Sequence, residues 1–386
     1  MTRTTGVYRV AEFAGESVRA FIPHPLPPAS PPLRLEGAIE SACDRASASV
    51  TRLGVAASLV PSTDWFLYGF VRKEAVLTSQ IEGTEATLRD VLEFEATERS
   101  SNDDVADVCN YIEALAHARR EIAKPNGLPL SARLLCEAHK KLMKGVGTRR
   151  GGDKSPGLVR TTQNWVGGTR PGNARFVPPP ADVVPEVLSD LDRWIHGNDP
   201  LPPIVKAGLA HVQFETIHPF LDGNGRIGRL LVTLLLEHWG VIASPILYLS
   251  HAIKRRRREY YDRLSSVRTE GDWEGWMLFF LECVEESADD GVETAQKIFA
   301  LTDRDRRRLT AHPRATVAAI QLLDVLPSHP MITVPGATEL IGSTPPTTRK
   351  AVELLADIGI LRETSGRQRD RVYAYHGYLQ ALTADE

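Results

Sequence analysis

A chain of 386 residues is long enough for two or three domains with cores of their own. Its hydrophobic share of 42%, charged share of 25% and net charge of −3 are ordinary for a globular protein, and the total gives no pointer to nucleic acid or membrane surfaces. The start has no apolar core before a cleavage site, and the apolar stretch LLVTLLLEHWGVIA is broken by Glu237 and His238. The expectation is therefore a cytoplasmic protein with no signal peptide and no membrane span. Cys43, Cys109, Cys136 and Cys283 are widely spaced with no CxxC pair, which argues against both a zinc site and a disulfide framework.

Residues 1–35 contain FIPHPLPPASPPL, whose six prolines forbid helix and predict an extended arm. Helical spacing then runs from Leu35 to about Leu59, and again from about Asp64 to Ser79 behind a Thr63 or Asp64 cap. After Gly83 a helix restarts, with Thr84 as its expected cap. The amphipathic ADVCNYIEALAHARREIAK follows and stops at Pro125-Asn126-Gly127; Leu130–Lys144 is the next helix. Residues 151–180 change to Gly, Pro, Thr and Arg, and LVRTTQNWV and ARFVP joined by GGTRPGN predict a β-hairpin set into a helical protein. Helices resume at 181–196, 204–217, 225–239, 251–265 and 272–300. DRDRRRLTAHPR reads as an exposed charged helix and hinge. Residues 313–386 read as three short helices closed by a hairpin.

The stretch that carries chemistry is FETIHPFLDGNGRIGRLLVTLLL. An apolar helix ends at His218-Pro219, because a proline disfavours helix in the residue before it. Asp222-Gly223-Asn224-Gly225 then turns tightly into a new helix, and successive backbone N–H groups at such a helix start form an anion seat. Arg226 and Arg229 lie three apart on that helix's first turn, which makes a polyphosphate the natural tenant. There is no GxxxxGK[ST], and GNGRIG follows a His-Pro turn rather than a strand, so neither a P-loop nor a dinucleotide fold applies. His218 can take a proton from an attacking hydroxyl, and Asp222 can hold Mg²⁺ against phosphates.

His218-Pro219-Phe220-Leu221-Asp222-Gly223-Asn224-Gly225-Arg226-Ile227-Gly228-Arg229 matches the Fic signature HPFx(D/E)GNGRxxR at every specified position, and the chain resembles Fic-domain protein adenylyltransferases. The resemblance implies a mainly α fold, with the motif in a loop between two helices of the core. It implies transfer of AMP from ATP to a protein hydroxyl, the chain's own included. In that reading His218 is the base and Asp222 the Mg²⁺ ligand. Gly223, Asn224, Gly225 and Gly228 belong to the nucleotide site, with Arg226 and Arg229 on the pyrophosphate end. Phe220 anchors the loop in the core.

Thr78-Ser79-Gln80-Ile81-Glu82-Gly83 resembles the family's inhibitory motif [S/T]xxxE[G/N], which implies that Glu82 pairs with Arg229 and fills the γ-phosphate space. The hairpin near 158–178 resembles the family's target-positioning flap, with Leu158–Val166 as the free edge; an ordinary surface hairpin is the alternative. Tyr260-Tyr261 stands where relatives carry paired tyrosines near adenine, which points to Tyr261. Lys254–Arg258 departs from the family pattern and also reads as a solvated basic face. Trp273 and Trp276 are assigned to core packing.

The predicted layout is an N-terminal helical region with the inhibitory motif over 1–100, a Fic core over 101–300, and a C-terminal module over 301–386. That module resembles a winged helix-turn-helix, with VPGATELIG and TTRKAVELLADIGIL as its helices. Arg349, Lys350, Arg362, Arg367, Arg369 and Arg371 could face the phosphates of DNA, whereas protein docking or dimer packing is the alternative. Partners expected are ATP, a protein target along the flap, a second copy as a homodimer, and DNA. Two further readings stay open: removal of AMP by the same site with Glu82 holding a water, and a DNA-binding regulator.

Overall fold

The computed structural model describes residues 3–13, 15–58, 63–98, 102–145 and 154–383. Two antiparallel strands open it, β1 (Gly6–Phe13) and β2 (Glu16–Pro23), paired from Gly6 opposite Pro23 to Phe13 opposite Glu16. The expected arm is thus a hairpin. The prolines that suggested a loose arm begin only at the end of β2, and Val18, Ala20 and Phe21 turn inward from it. Phe21 N–H donates to the Val177 carbonyl at 3.0 Å, so β2 ties the hairpin to residues near 177.

Then come α1 (Ala38–Ser58), α2 (Thr63–Ile81), α3 (Leu88–Thr97), α4 (Asp103–Ala123) and α5 (Ala132–Leu142). The Thr63 and Asp64 side chains, expected to cap α2, lie outside those described. The cap of α3 is Thr87, not Thr84: Thr87 Oγ1 accepts from Asp90 N–H while the Asp90 carboxylate accepts from Thr87 N–H. This reciprocal box outcompetes a threonine that has no acidic partner three residues on. Asn102 and Ser131 cap α4 and α5 by the side chain alone, accepting from the Asp104 and Leu134 N–H groups.

The core continues with α6 (Val184–Ile195), α7 (Pro203–Ile217), α8 (Asn224–His238), α9 (Ser250–Arg255), α10 (Arg257–Glu270) and α11 (Trp273–Thr310). The helix expected at 251–265 is broken at Arg256 (φ −107°, ψ 30°). α11 runs 38 residues, so the expected boundary at 300 falls inside one helix, and of the charged segment 303–314 only the last four residues lie beyond it. Asp303 pairs with Arg307 one turn on, and buried Asp305 accepts from the Tyr375 hydroxyl at 3.0 Å, so the charged run has partners that hold it helical. α1 packs along α11, where a Cβ on Gly291 would come within 2.8 Å of Leu53. Trp273 and Trp276 are core residues, as expected.

The last module holds α12 (Val317–Val325), β3 (Met331–Thr333), α13 (Val334–Leu340), α14 (Pro345–Asp357), β4 (Leu361–Glu363), β5 (Val372–Tyr375) and α15 (His376–Thr383). Its sheet order is β3-β5-β4, all antiparallel. One strand and one helix more than expected are present. β3 is three residues long, too short to show a period, and α15 follows β5 without a turn signal. α15 docks on α2: the Tyr378 hydroxyl donates to the Trp65 carbonyl at 3.0 Å, and Gly69 leaves room for it.

Candidate nucleotide site

α7 is buried on every side and ends at Ile217. His218 caps it in the left-handed region (φ 49°, ψ 60°), with its N–H donating to the Phe214 carbonyl at 2.9 Å. That conformation is costly for a residue with a side chain and persists only when neighbours impose it. They do. Arg160 Nε donates to the His218 carbonyl at 2.9 Å, and Arg160 N–H donates to the Pro219 carbonyl at 2.9 Å. Asn164 Nδ2 donates to the Phe220 carbonyl at 3.0 Å. Asn224 closes the loop from the other side, accepting from Phe220 N–H and donating to its carbonyl, both at 2.8 Å. Phe220 is buried and stacks on His139 at 3.9 Å, so its anchoring role holds.

The turn itself follows from Gly223 (φ 73°), where a Cβ would press Leu142 and Met143 at 3.3 Å. Asp222 Oδ1 accepts from Gly223 N–H at 2.6 Å, and Oδ2 lies 3.4 Å from Lys154 Nζ. His139 holds the turn from beneath. Its Nδ1 accepts from Gly157 N–H at 2.8 Å, so Nε2 carries the proton it donates to the Asp222 carbonyl at 3.1 Å. Burial lowers the His139 pKa to about 4, so the ring is neutral. Beyond the turn, the first N–H groups of α8 have no intrahelical acceptor and form the anion seat.

Glu82 already sits there. Its Oε1 accepts from Arg229 Nη2 at 2.6 Å, and a Cβ on Gly225 would lie only 2.2 Å from that oxygen. Arg229 is 1% exposed; its Nε donates to Thr78 Oγ1 at 2.6 Å and its Nη2 to the Thr78 carbonyl at 3.0 Å. Thr78 in the last turn of α2 and Glu82 just past its end therefore grip one guanidinium. Burial alone would raise the Glu82 carboxyl, but the charge and hydrogen bond of Arg229, then the charge of Arg226, hold it below the usual range.

The expected site residues separate here into two groups. His218, Asp222, Gly223, Gly225, Arg229 and Glu82 meet at the turn. Asn224 is there too, but its side chain is spent on Phe220, leaving its backbone N–H. Arg226 turns away to Asp107 on α4, a pair at 2.7 Å with both side chains 5% exposed. Gly228 faces α7, where a Cβ would lie 2.4 Å from Glu215, so it serves helix packing rather than the turn. Tyr261 is half-buried beside Tyr260, under the Arg257 guanidinium at 5.5 Å, and Glu82 is among the charges that raise its pKa after burial.

The basic run after Ser250 is not a plain solvated face. Lys254 Nζ donates to Gln80 Oε1 at 2.6 Å and Arg257 Nε to the Ile81 carbonyl at 3.0 Å, gripping the end of α2 next to Glu82. Arg255 and Arg256 pair instead with Glu282 and Glu286 of α11. The expected hairpin at 158–178 is a loop with one bridge, Val166 to Phe176. Its 160–164 limb bonds to the His218–Phe220 carbonyls instead of to a second strand.

Several residues here carried no sequence signal. Arg160 is 2% exposed and donates only to carbonyls. Burial, then the charge of Arg160, lower the His218 pKa to about 4, while its Nδ1 is buried without a hydrogen-bond partner. Burial raises Glu74 and Glu215 to about 7; Glu74 accepts from Ser250 N–H and Oγ at 3.0 and 2.5 Å. Among the described residues there is no cluster of three metal-ligating side chains, and no helix is long and apolar enough to cross a membrane.

Residues 40–120 match the Fic/DOC family N-terminal profile and residues 129–236 the Fic/DOC family profile. This chain carries a Fic domain. Protein adenylyltransferase Fic of Culex quinquefasciatus is 30% identical over 215 residues, 54% of this chain and 39% of that protein. The Drosophila grimshawi protein of the same name is 29% identical over 54% of this chain and 40% of its own length. The matched stretch thus spans about two fifths of these relatives. In structure the chain is similar to a Fic family protein from Desulfovibrio desulfuricans G20, with TM-score 0.55 and 22% identity over 89% of this chain and 97% of that one. It is also similar to a Fic domain containing signaling protein from Bacteroides thetaiotaomicron VPI-5482, at TM-score 0.51 and 17% identity over 65% and 97%. Both likenesses concern the fold.

Proposed function

We propose that the chain transfers AMP from ATP to a protein hydroxyl and that Glu82 restrains it. The observation that carries this reading is the Glu82 carboxylate lodged on Arg229 and against Gly225, in the seat an ATP phosphate would need. His218 is the base. With its pKa lowered the imidazole is neutral at pH 7, and Nε2 is the nitrogen left for an incoming hydroxyl. The hydroxyl oxygen bonds to the α-phosphorus, the bond from that phosphorus to the leaving oxygen breaks, pyrophosphate departs, and the hydroxyl proton passes to His218. The amides of Asn224 and Gly225 with Arg229 bind the phosphates, the Gly223 N–H being spent on Asp222, and Tyr261 lies on the side for the adenine.

Asp222 fits Mg²⁺ by its chemistry: one carboxylate oxygen is fixed by Gly223 and the other already faces a cation, Lys154. Bound there with substrate oxygens, Mg²⁺ would offset phosphate charge. The 158–166 limb, with Leu158 63% exposed, is the place for a target backbone. The C-terminal module is read as a winged helix: α13 and α14 joined by a short turn, with β4 and β5 as the wing.

The test incubates wild type, Glu82→Gly and Glu82→Gly/His218→Ala with Mg²⁺ and ATP labelled at the α-phosphate. Label and an AMP-sized mass gain in Glu82→Gly alone support transfer, restraint and the base together. Glu82 is 35% exposed and its charge bears on His218, a geometry that also suits a carboxylate orienting water for AMP removal. Loss of Glu82 then abolishes removal while raising transfer, which separates the two.

A further inference from the structure

The geometry points to duplex DNA as the ligand of the C-terminal module, held by the first half of α14 and the 362–371 wing. The inference rests on the winged-helix reading and is independent of AMP transfer. On α14, Thr347, Arg349, Lys350 and Glu353 are exposed while Thr348, Ala351, Val352, Leu354 and Leu355 are buried, so one face of the helix is free from its first turn onward. Arg362 and the whole tip from Gly366 to Arg371 are exposed as well.

Charge decides what kind of partner fits. The arginines of α11 in the same module are paired: Arg306 with Asp324, Arg307 with Asp303, and Arg304 and Arg308 sharing Asp305. Arg314 is paired with Asp357. Among the described residues no ion pair ties Arg349, Lys350, Arg362, Arg367 or Arg369 to a carboxylate, and Arg371 donates to the Arg367 carbonyl at 3.0 Å. The nearby Glu363 carboxylate is occupied by Ser365 and Gly366. Among the described residues the cations of this helix face and loop thus form no ion pair, while those behind them do.

A protein partner would need something else. Stable protein interfaces centre on apolar and aromatic anchors and are depleted in lysine. Among the described residues none of the exposed large apolar side chains lies on α14 or within 362–371. What remains is a helix whose exposed first turns carry Thr347, Arg349 and Lys350, with Glu353 one turn further on, and that can enter a major groove, beside a loop with three arginines and one aspartate, Asp370, for the backbone. Arg349 and Lys350 are the residues placed for base edges; Arg367, Arg369 and Arg371 are placed for phosphates.

The test uses the full chain and a fluorescein-labelled duplex pool of random sequence, with anisotropy read across a salt series. Binding at low salt is expected, weakening as salt rises. Arg367→Ala/Arg369→Ala/Arg371→Ala flattens the log K against log [salt] slope by about 0.9 per lost phosphate contact. Arg349→Ala/Lys350→Ala, carried through selection from the pool, loses the enriched sequence. The Lys versions of the three wing residues keep binding, and circular dichroism checks that every variant is folded. No binding at low salt overturns the proposal. So does equal binding by folded wild type and both alanine variants, or equal affinity for single strands and heparin.

Discussion

Removing the Glu82 carboxylate should move nucleotide affinity and stability in opposite directions. Arg229 is 1% exposed and Glu82 35%, with 2.6 Å between them. A fully buried pair loses about 3–5 kcal/mol when one partner goes, and an exposed pair about 0–1. With one partner buried and the other a third open to water, the contact is worth about 2 kcal/mol. ATP must displace it, so Glu82→Gly should bind Mg²⁺ and a non-hydrolysable ATP analogue about 30-fold more tightly. Without nucleotide the same variant leaves Arg229 with only Thr78 and should unfold about 2 kcal/mol sooner in denaturant. Titration calorimetry and unfolding curves with and without the analogue read both. The Glu82 carboxyl is held below its usual pKa, so the restraint is present above about pH 4.5 and is lost only as pH falls lower; the affinity difference should be flat from pH 6 to 8. An affinity change within about threefold, or a variant more stable than wild type without nucleotide, would refute the reasoning.

Gly225→Ala places a Cβ 2.2 Å from Glu82 Oε1, so it should destabilise wild type by about 1–2 kcal/mol and Glu82→Gly hardly at all, a coupling that unfolding of the four-member cycle measures. Glu215 titrates near 7 when folded against 4.5 when free, so its burial adds stability below about pH 4.5 that is lost as pH rises through 7. The stability of wild type relative to Glu215→Gln should therefore fall by about 3 kcal/mol from pH 4 to pH 8, and a flat difference would count against it. Arg160→Met cuts the side-chain ties to the His218 and Pro179 carbonyls and keeps only the backbone bond to Pro219; labelling of protein in the Glu82→Gly background should drop at least tenfold while ATP affinity changes little. Equal losses in both would assign Arg160 to folding alone.

The sequence by itself determined the local parts of this protein. The His-Pro stop, the glycine turn and the start of α8 depend on backbone preferences of neighbouring residues, and they stand where the sequence put them. Most helices were legible from their apolar period, and Glu82 was legible as the partner of Arg229, whereas the grip of Thr78 on the same guanidinium was not. Errors arose where a partner far along the chain decides the outcome. The hairpin of β1 and β2 needs Val177 beside it, α11 runs on with Tyr375 answering its buried Asp305, and the 158–166 limb pairs with the motif's carbonyls rather than with a strand. The same holds within the site. Only the tertiary structure decided that Arg226 serves Asp107, that Gly228 makes room for Glu215, and that His139 and Arg160 fix the loop from behind. A buried charge must find a counter-charge or carbonyl wherever the fold supplies one, and that supplier is seldom a sequence neighbour.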